Sequence, residues 1–181
     1  SLAVLKGNLA PSGAIIKATA ASPHLLRHRG PAVVFESIED MDARVDSPDL
    51  DITADSVLVL KNIGPKSYPG APELGNIKVP KKLLDQGILD VLRISDGRVS
   101  GTAFGTVVLR VVPETAIGGP ISLVRKGDLI EIDIDERRLS LLVDEAELVR
   151  RKAEWKPSVV ETERGFRRLF VEHVLQAVEQ H

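Results

Sequence analysis

The chain has 181 residues, 43% of them hydrophobic and 28% charged, with a net charge of −2 and no cysteine. The missing cysteine excludes disulfides, thiolate metal sites and cysteine nucleophiles within this polypeptide. Near-neutral charge, no basic run longer than Arg150-Arg151-Lys152 and only 3% aromatic residues exclude the electrostatic footprint and stacking platforms of a nucleic-acid binder.

The length suits one domain, residues 1–181. No apolar run approaches the roughly 18 residues of a membrane span, and nothing at the N-terminus reads as a signal peptide. The expected compartment is therefore the cytoplasm, with no membrane partner. The chain begins at Ser1 and its only methionine is Met41, which suggests a fragment of something longer or a processed chain.

In chain order, Pro23 and Gly30 bracket "PHLLRHRG", which predicts a short helical turn. "AVVFE" follows as a strand. Ser37 is placed to cap a helix over 38–45, with Asp40 as a capping-box-like partner. "SVLVLKNI" (56–63) is a continuous apolar run of strand length, expected to be buried on both faces. A Gly/Pro-dense loop covers 64–76, and a helix is expected over 80–86 between Pro80 and Gly87. "ILDVLRI" (88–94) and "TVVLRVV" (106–112) read as strands. The stretch from Ile121 reads as a meander with turns at 126–128 and 135–137, in which Ile130, Ile132 and Ile134 alternate with Glu131, Asp133 and Asp135. Asp144 with Glu147 caps a helix running to about Trp155. The tail "TERGFRRLFVEHVLQAVEQH" is amphipathic at helical spacing. Seven or eight short strands with several helices predict a β-rich α/β domain, a small barrel or a two-layer sheet.

Among candidate chemistry, Gly97, Gly101 and Gly105 stand four apart after a strand. Glycines there would allow positive φ and leave backbone N–H groups free for an anion. The loop is neither a P-loop nor a dinucleotide fingerprint, and the plain alternative is a tight connection with Ser95 and Asp96 as turn formers. Ser100 as a nucleophile would need a base, and none of the four histidines stands in a triad context. Glu73 sits in a rigid loop between Pro69, Gly70 and Pro72. It suits a hard cation such as Mg²⁺, although a solvated glutamate is the simpler reading. His24 and His28 are spaced i,i+4, as in helical zinc sites, but read more simply as polar residues near a helix C-terminus. Glu131, Asp133 and Asp135 read as a wet strand face. The residues alone thus give two Gly-rich loops able to line a polar ligand site, and no reaction.

"GNLAPSGAIIK" (7–17), "YPGAPELGN" (68–76) and "ISDGRVSGT" (94–102) resemble the C-terminal domain of the dihydroxy-acid dehydratase and 6-phosphogluconate dehydratase family. "HRGPAVVFES" (28–37) and "VVPETAIGGPISLVRKGDLIEIDI" (111–134) continue the likeness in order. "VPKKLLDQG", "RISDGRVSGTAFGT" and "RGFRRLFVEHVLQA" look most like the sugar-acid (aldonate) branch, of the arabinonate/xylonate type. Ser95, Val99, Ala71 and Leu74 depart from residues common in the family, which bears on pocket shape and substrate.

The resemblance implies a swivelling β/β/α barrel-like domain with flanking helices and a C-terminal amphipathic helix. It implies a hydro-lyase that converts a 2,3-dihydroxy carboxylic acid to a 2-keto-3-deoxy acid. An iron–sulfur cluster, expected to be of the two-iron, two-sulfur (2Fe-2S) kind, and Mg²⁺ would be its cofactors. By the same likeness Ser100 is the base, Glu73 a ligand to Mg²⁺, and Thr102 contacts substrate or orients Ser100. The cluster ligands would lie in an N-terminal domain absent here, so the chain alone would be inactive. The full-length enzyme would be a homo-oligomer. The alternatives are a dihydroxy-acid dehydratase of branched-chain amino-acid biosynthesis, a non-catalytic small-anion-binding module, and a structural assembly domain.

Overall fold

A computed structural model describes residues 1–67, 76–99 and 104–157. Eight strands form one sheet in the order β1-β2-β6-β5-β4-β3-β7-β8. They are β1 (Leu2–Leu5), β2 (Gly13–Lys17), β3 (Arg27–Phe35), β4 (Val57–Leu60), β5 (Leu92–Ser95), β6 (Val107–Val112), β7 (Leu129–Asp133) and β8 (Arg138–Leu141). The sheet curls until its edges nearly meet. Lys6, just past β1, makes a parallel bridge to Arg138 of β8, donating its N–H to Arg137 O at 3.0 Å and accepting from Leu139 N at 2.9 Å. At this seam Gly7 adopts φ 157°, and a Cβ there would collide with Leu139 O. Glycine is required by the close approach of two backbones.

The four middle strands, β3 to β6, run parallel. Their alternation explains the continuous apolar runs. Val57 and Val59 of β4 and Leu92 and Ile94 of β5 point into the barrel with Leu5, Ile16, Val108, Ile130 and Leu139. Leu58 and Leu60 join Val33 and Phe35 in a second cluster on the outside. Two helices, α1 (Ile38–Arg44) and α2 (Lys81–Leu84), cover that outer layer with Met41 and Leu83. Parallel strands buried on both faces read as unbroken hydrophobic runs, and β4 is such a strand.

The α1 cap forms as expected, with Ser37 Oγ accepting from Asp40 N at 3.0 Å. The Asp40 carboxylate reaches back to Glu36 N at 2.9 Å, one residue beyond the N-cap N–H of a standard box, and pairs with Arg44. Past α2, Gly87 at φ 79° lets Ile88 N return to Leu83 O at 3.0 Å. The third helix, α3 (Glu145–Glu154), ends at Trp155 as expected, but Asp144 makes no side-chain cap bond and Glu147 instead pairs with Arg151.

Two segments differ from expectation. "PHLLRHRG" is helical only over Pro23–Leu25, and Arg27 to Gly30 already belong to β3, paired with β7. β-pairing there overrides the local helical pattern. "ISL" is not a strand of the meander but part of a 3₁₀ helix, Pro120–Leu123, set by Gly119 and Pro120. The amphipathic tail lies outside the described residues. The β-rich, barrel-like expectation is met.

Candidate functional site

The carboxyl ends of β3, β4, β5 and β6 lie along one edge, where ligand sites gather in parallel sheets. Two connections leave from it. One departs β4 through Lys61–Ser67 and returns at Asn76 toward α2; the other departs β5 through Asp96–Val99 and returns at Phe104 toward β6. Glu73 belongs to the first, Ser100 and Thr102 to the second. All three lie outside the described residues, so the observable geometry is that of the limbs on either side.

The outgoing limbs touch. A Cβ at Gly97 would overlap the Ile63 side chain, so glycine is needed for this approach. Asp96, 2% exposed, bridges the limbs: Oδ1 accepts from Ile63 N at 2.9 Å and Oδ2 from Thr115 N at 2.8 Å. Burial pushes its carboxyl above the usual carboxylate range, against the pull of those N–H groups. Glu114, equally buried, accepts from Lys66 N through both oxygens at 3.0 and 3.1 Å. A Cβ at Gly64 would collide with its carboxylate. The segment leading to Glu73 is thus held by carboxylates rooted beyond β5 and beyond β6. Arg110 at φ 52° donates its N–H to Gly97 O at 2.9 Å. A left-handed arginine costs roughly 1–3 kcal/mol and marks a backbone fixed by its surroundings.

Lys61, 3% exposed, donates through Nζ to Ser122 O at 3.0 Å and Val124 O at 2.8 Å, with Glu36 at 3.4 Å. Burial lowers its pKa, and Glu36 opposes that. It lines an open cavity of about 610 Å³ with Arg44, Arg151 and Trp155. Two of the cavity's cations are tied to carboxylates: Arg44 pairs with Asp40, and Arg151 with Asp128 and Glu147.

On the outer side, Asp90 is a hub. Its carboxylate accepts from Ser22 Oγ at 2.5 Å, Thr106 Oγ1 at 2.7 Å, Thr106 N at 3.1 Å and Arg93 Nη2 at 2.8 Å. Burial pushes this carboxyl up, but the two hydroxyls, the Thr106 N–H and Arg93 outweigh it and hold it below the ordinary range. A carboxyl lowered on folding contributes stability that is present above the unfolded value, about 3.9, and lost as pH falls through the folded one. Asp90→Asn is therefore expected to melt below wild type at pH 7, with the gap narrowing as pH falls below about 5. Thermal melts of both proteins across that range check this; a gap independent of pH would contradict it.

The histidine pair does not form. His24 is in the last turn of the 3₁₀ helix, near a helix C-terminus as expected, while His28 is in β3 with Nε2 2.9 Å from Asp55 O, so the helical zinc pattern does not describe them and the C-terminal reading holds for His24 alone. Asp133 is not on a wet face. It is 2% exposed, accepts from Arg27 Nε at 3.0 Å and Glu136 N at 3.1 Å, and closes the β7–β8 turn. Among the described residues no group of three or more His, Asp or Glu could hold a metal. No described helix is long and apolar enough to cross a membrane. The buried roles of Lys61, Arg93, Asp96 and Glu114 escaped sequence reasoning. The only signal was a charge set in or beside an apolar run, as in "VLRIS" and "VLVLK".

The family described as dihydroxy-acid/6-phosphogluconate dehydratase, C-terminal, matches residues 1–179. The chain belongs to this family. Among its relatives, an L-arabinonate dehydratase of Rhizobium leguminosarum bv. trifolii is 53% identical over 173 residues, 96% of this chain and 30% of that protein. A 6-deoxy-6-sulfo-D-gluconate dehydratase of Pseudomonas putida is 49% identical over 179 residues, 99% of this chain and 31% of that protein. A dihydroxy-acid dehydratase of Methanothrix thermoacetophila is 45% identical over 157 residues, covering 86% of this chain and 28% of that protein. The chain thus spans under a third of the length of these dehydratases.

Proposed function

We propose that the chain is the C-terminal part of a two-domain hydro-lyase that dehydrates a sugar acid to a 2-keto-3-deoxy acid. The observation that carries this reading is the meeting of the two limbs. Within a dehydratase family, the segments bearing Glu73 and Ser100 spring from adjacent parallel strands and are fastened together at Gly97, Ile63 and Asp96. The sugar-acid branch is favoured over the amino-acid branch because the arabinonate and sulfogluconate relatives match at 53% and 49% over nearly the whole chain, against 45% over 86% of it.

An iron–sulfur cluster cannot be seated here, since the chain has no cysteine. The described residues offer no carboxylate cluster for Mg²⁺ either. Cluster ligands are assigned to the N-terminal part, and Glu73 is this chain's candidate toward Mg²⁺. Such cations, when bound, neutralise charge that develops on substrate oxygens.

What falls to this chain is the proton. Ser100, as the alkoxide, takes the proton on C2, the C–H pair becomes the C2=C3 bond, and the C3 hydroxyl leaves with its C–O pair and takes a proton from solvent to become water, while Ser100 returns its proton to solvent. The enol then takes a solvent proton at C3 and becomes the 2-keto acid. Thr102 is assigned to orient Ser100 or the substrate. The short limbs suit this task, because general-base catalysis requires a base held within hydrogen-bond reach of the proton it removes.

The test is to offer the full-length protein, prepared without oxygen, a pentonate, a hexonate, 6-phosphogluconate and 2,3-dihydroxyisovalerate, and to measure 2-keto acid. Turnover of a pentonate or hexonate is expected. Preference for dihydroxyisovalerate would move the protein to the amino-acid branch. Silence on all four would leave a small-anion-binding module. Glu73→Gln is expected to raise the Mg²⁺ concentration for half-maximal rate by about tenfold or more, as loss of a charged ligand would. An unchanged titration would return Glu73 to a solvated loop residue.

A further inference from the structure

We propose that Arg93 is a positioning residue that couples the two loops of the site by holding their returning limbs on one guanidinium. This rests on the dehydratase reading above. Arg93 lies on β5, between Leu92 and Ile94, whose side chains fill the barrel, so its own side chain faces the outer layer. It is 2% exposed, and burial lowers its pKa against the pull of Asp90. A charge so placed is costly unless every donor is used.

The donors are used in an informative way. Nη1 donates to Ile77 O at 2.6 Å, just after the segment that carries Glu73. Nη2 donates to Phe104 O at 3.2 Å, just after the segment that carries Ser100 and Thr102. Nε donates to Val91 O at 3.1 Å, and Nη2 also to Asp90 at 2.8 Å. Asp90 in turn holds both the N–H and the hydroxyl of Thr106, so the second limb is fixed at two points. Gly105, at φ 100°, passes so close that a Cβ would collide with Nη2.

The outgoing limbs are fastened to each other by Asp96 and the returning limbs by Arg93. Each loop is therefore anchored at both ends to groups shared with, or adjoining, the other. Geometry requires arginine. Its planar fork serves three carbonyls and a carboxylate at once, whereas a lysine ammonium in the same place has three donors on a flexible stem. A pair of catalytic loops displaced by about 1 Å loses about 10²-fold in rate.

The experiment uses the full-length protein with Arg93→Lys, and with Asp90→Asn, which leaves the arginine but frees its anchor. Ser100→Ala is run beside them. Turnover, KM for the accepted sugar acid and backbone hydrogen exchange of residues 76–83 and 104–110 are measured well below the melting point, per folded, cofactor-loaded site. Arg93→Lys is expected to lower kcat by about 10²-fold with KM within about threefold. Exchange should rise in both limbs together. Wild-type kcat per folded site in Arg93→Lys, or faster exchange in one limb only, would overturn the coupling. If Arg93→Lys does not fold, Asp90→Asn decides on the same two readouts. If Ser100→Ala keeps turnover, Ser100 fails as the base; if wild type forms no 2-keto acid from any sugar acid, the dehydratase reading fails; joint loosening of the limbs would still stand in either case.

Discussion

Replacing Ser100 with alanine in the full-length protein is expected to lower 2-keto acid formation by about 10²–10⁴-fold, the range that loss of a positioned acid–base group covers. The absorbance of any bound cluster should be unchanged, because the chain contributes no cysteine to it. Substrate affinity should move little, since a base contributes mainly in the transition state and its loss appears in kcat rather than KM. The neighbouring Gly97–Ile63 contact and the Asp96 bridge are made by residues upstream of Ser100, so the substitution leaves those two fastenings in place. Near-normal turnover would remove Ser100 as the base and leave the loop a binding element.

The largest stability effect is expected from Asp96→Ala. Its two oxygens are the acceptors for Ile63 N and Thr115 N, and the site is 2% exposed. Leaving two buried N–H groups without partners costs about 2–6 kcal/mol, at about 1–3 for each. Loss of the carboxylate's own desolvation penalty offsets part of that, but the net remains a large share of the roughly 5–15 kcal/mol that holds a domain together. The midpoint of thermal unfolding should fall by roughly 5 °C or more. Exchange of the Ile63 and Thr115 amides should accelerate ahead of amides in β4 and β7. Wild-type melting with protected amides would show that water or another group replaces the carboxylate at no cost.

The reach of sequence reading here follows from where each signal resides. The apolar run 56–63 predicted a strand buried on both faces, and β4 is one, because barrel interior and helical outer layer both demand hydrophobic side chains. Ser37 was readable as a cap because its partner is three residues away. Arg93, Asp96 and Lys61 were not readable as site-builders, because the main-chain partners that tie them to other segments lie 11 to 63 residues away and are brought near only by the crossovers. Asp96 looked like a turn former, which Ser95 beside it is, with Oγ accepting from Gly97 N at 3.1 Å. "HRG" carried a helical pattern that pairing with β7 overrode. Asp133 looked solvated by period-2 alternation, yet Arg27 and the β7–β8 turn enclose it. For the site itself, spacing and composition yielded two Gly-rich loops. They also raised Ser100 and Glu73 as candidates without deciding for either; the family motifs gave those two their roles and added Thr102.

The measurement that bears most directly on the central claim is product analysis in heavy water. The full-length protein, loaded with its cofactors, is given L-arabinonate in D₂O and the product is followed by NMR. Dehydration through an enol predicts a 2-keto-3-deoxy acid carrying one solvent deuterium at C3, formed by wild type and not by Ser100→Ala. Recovery of unchanged arabinonate with its C2 hydrogen intact, together with failure to form a 2-keto acid from the hexonate and dihydroxyisovalerate, would contradict the assignment of a hydro-lyase to this chain.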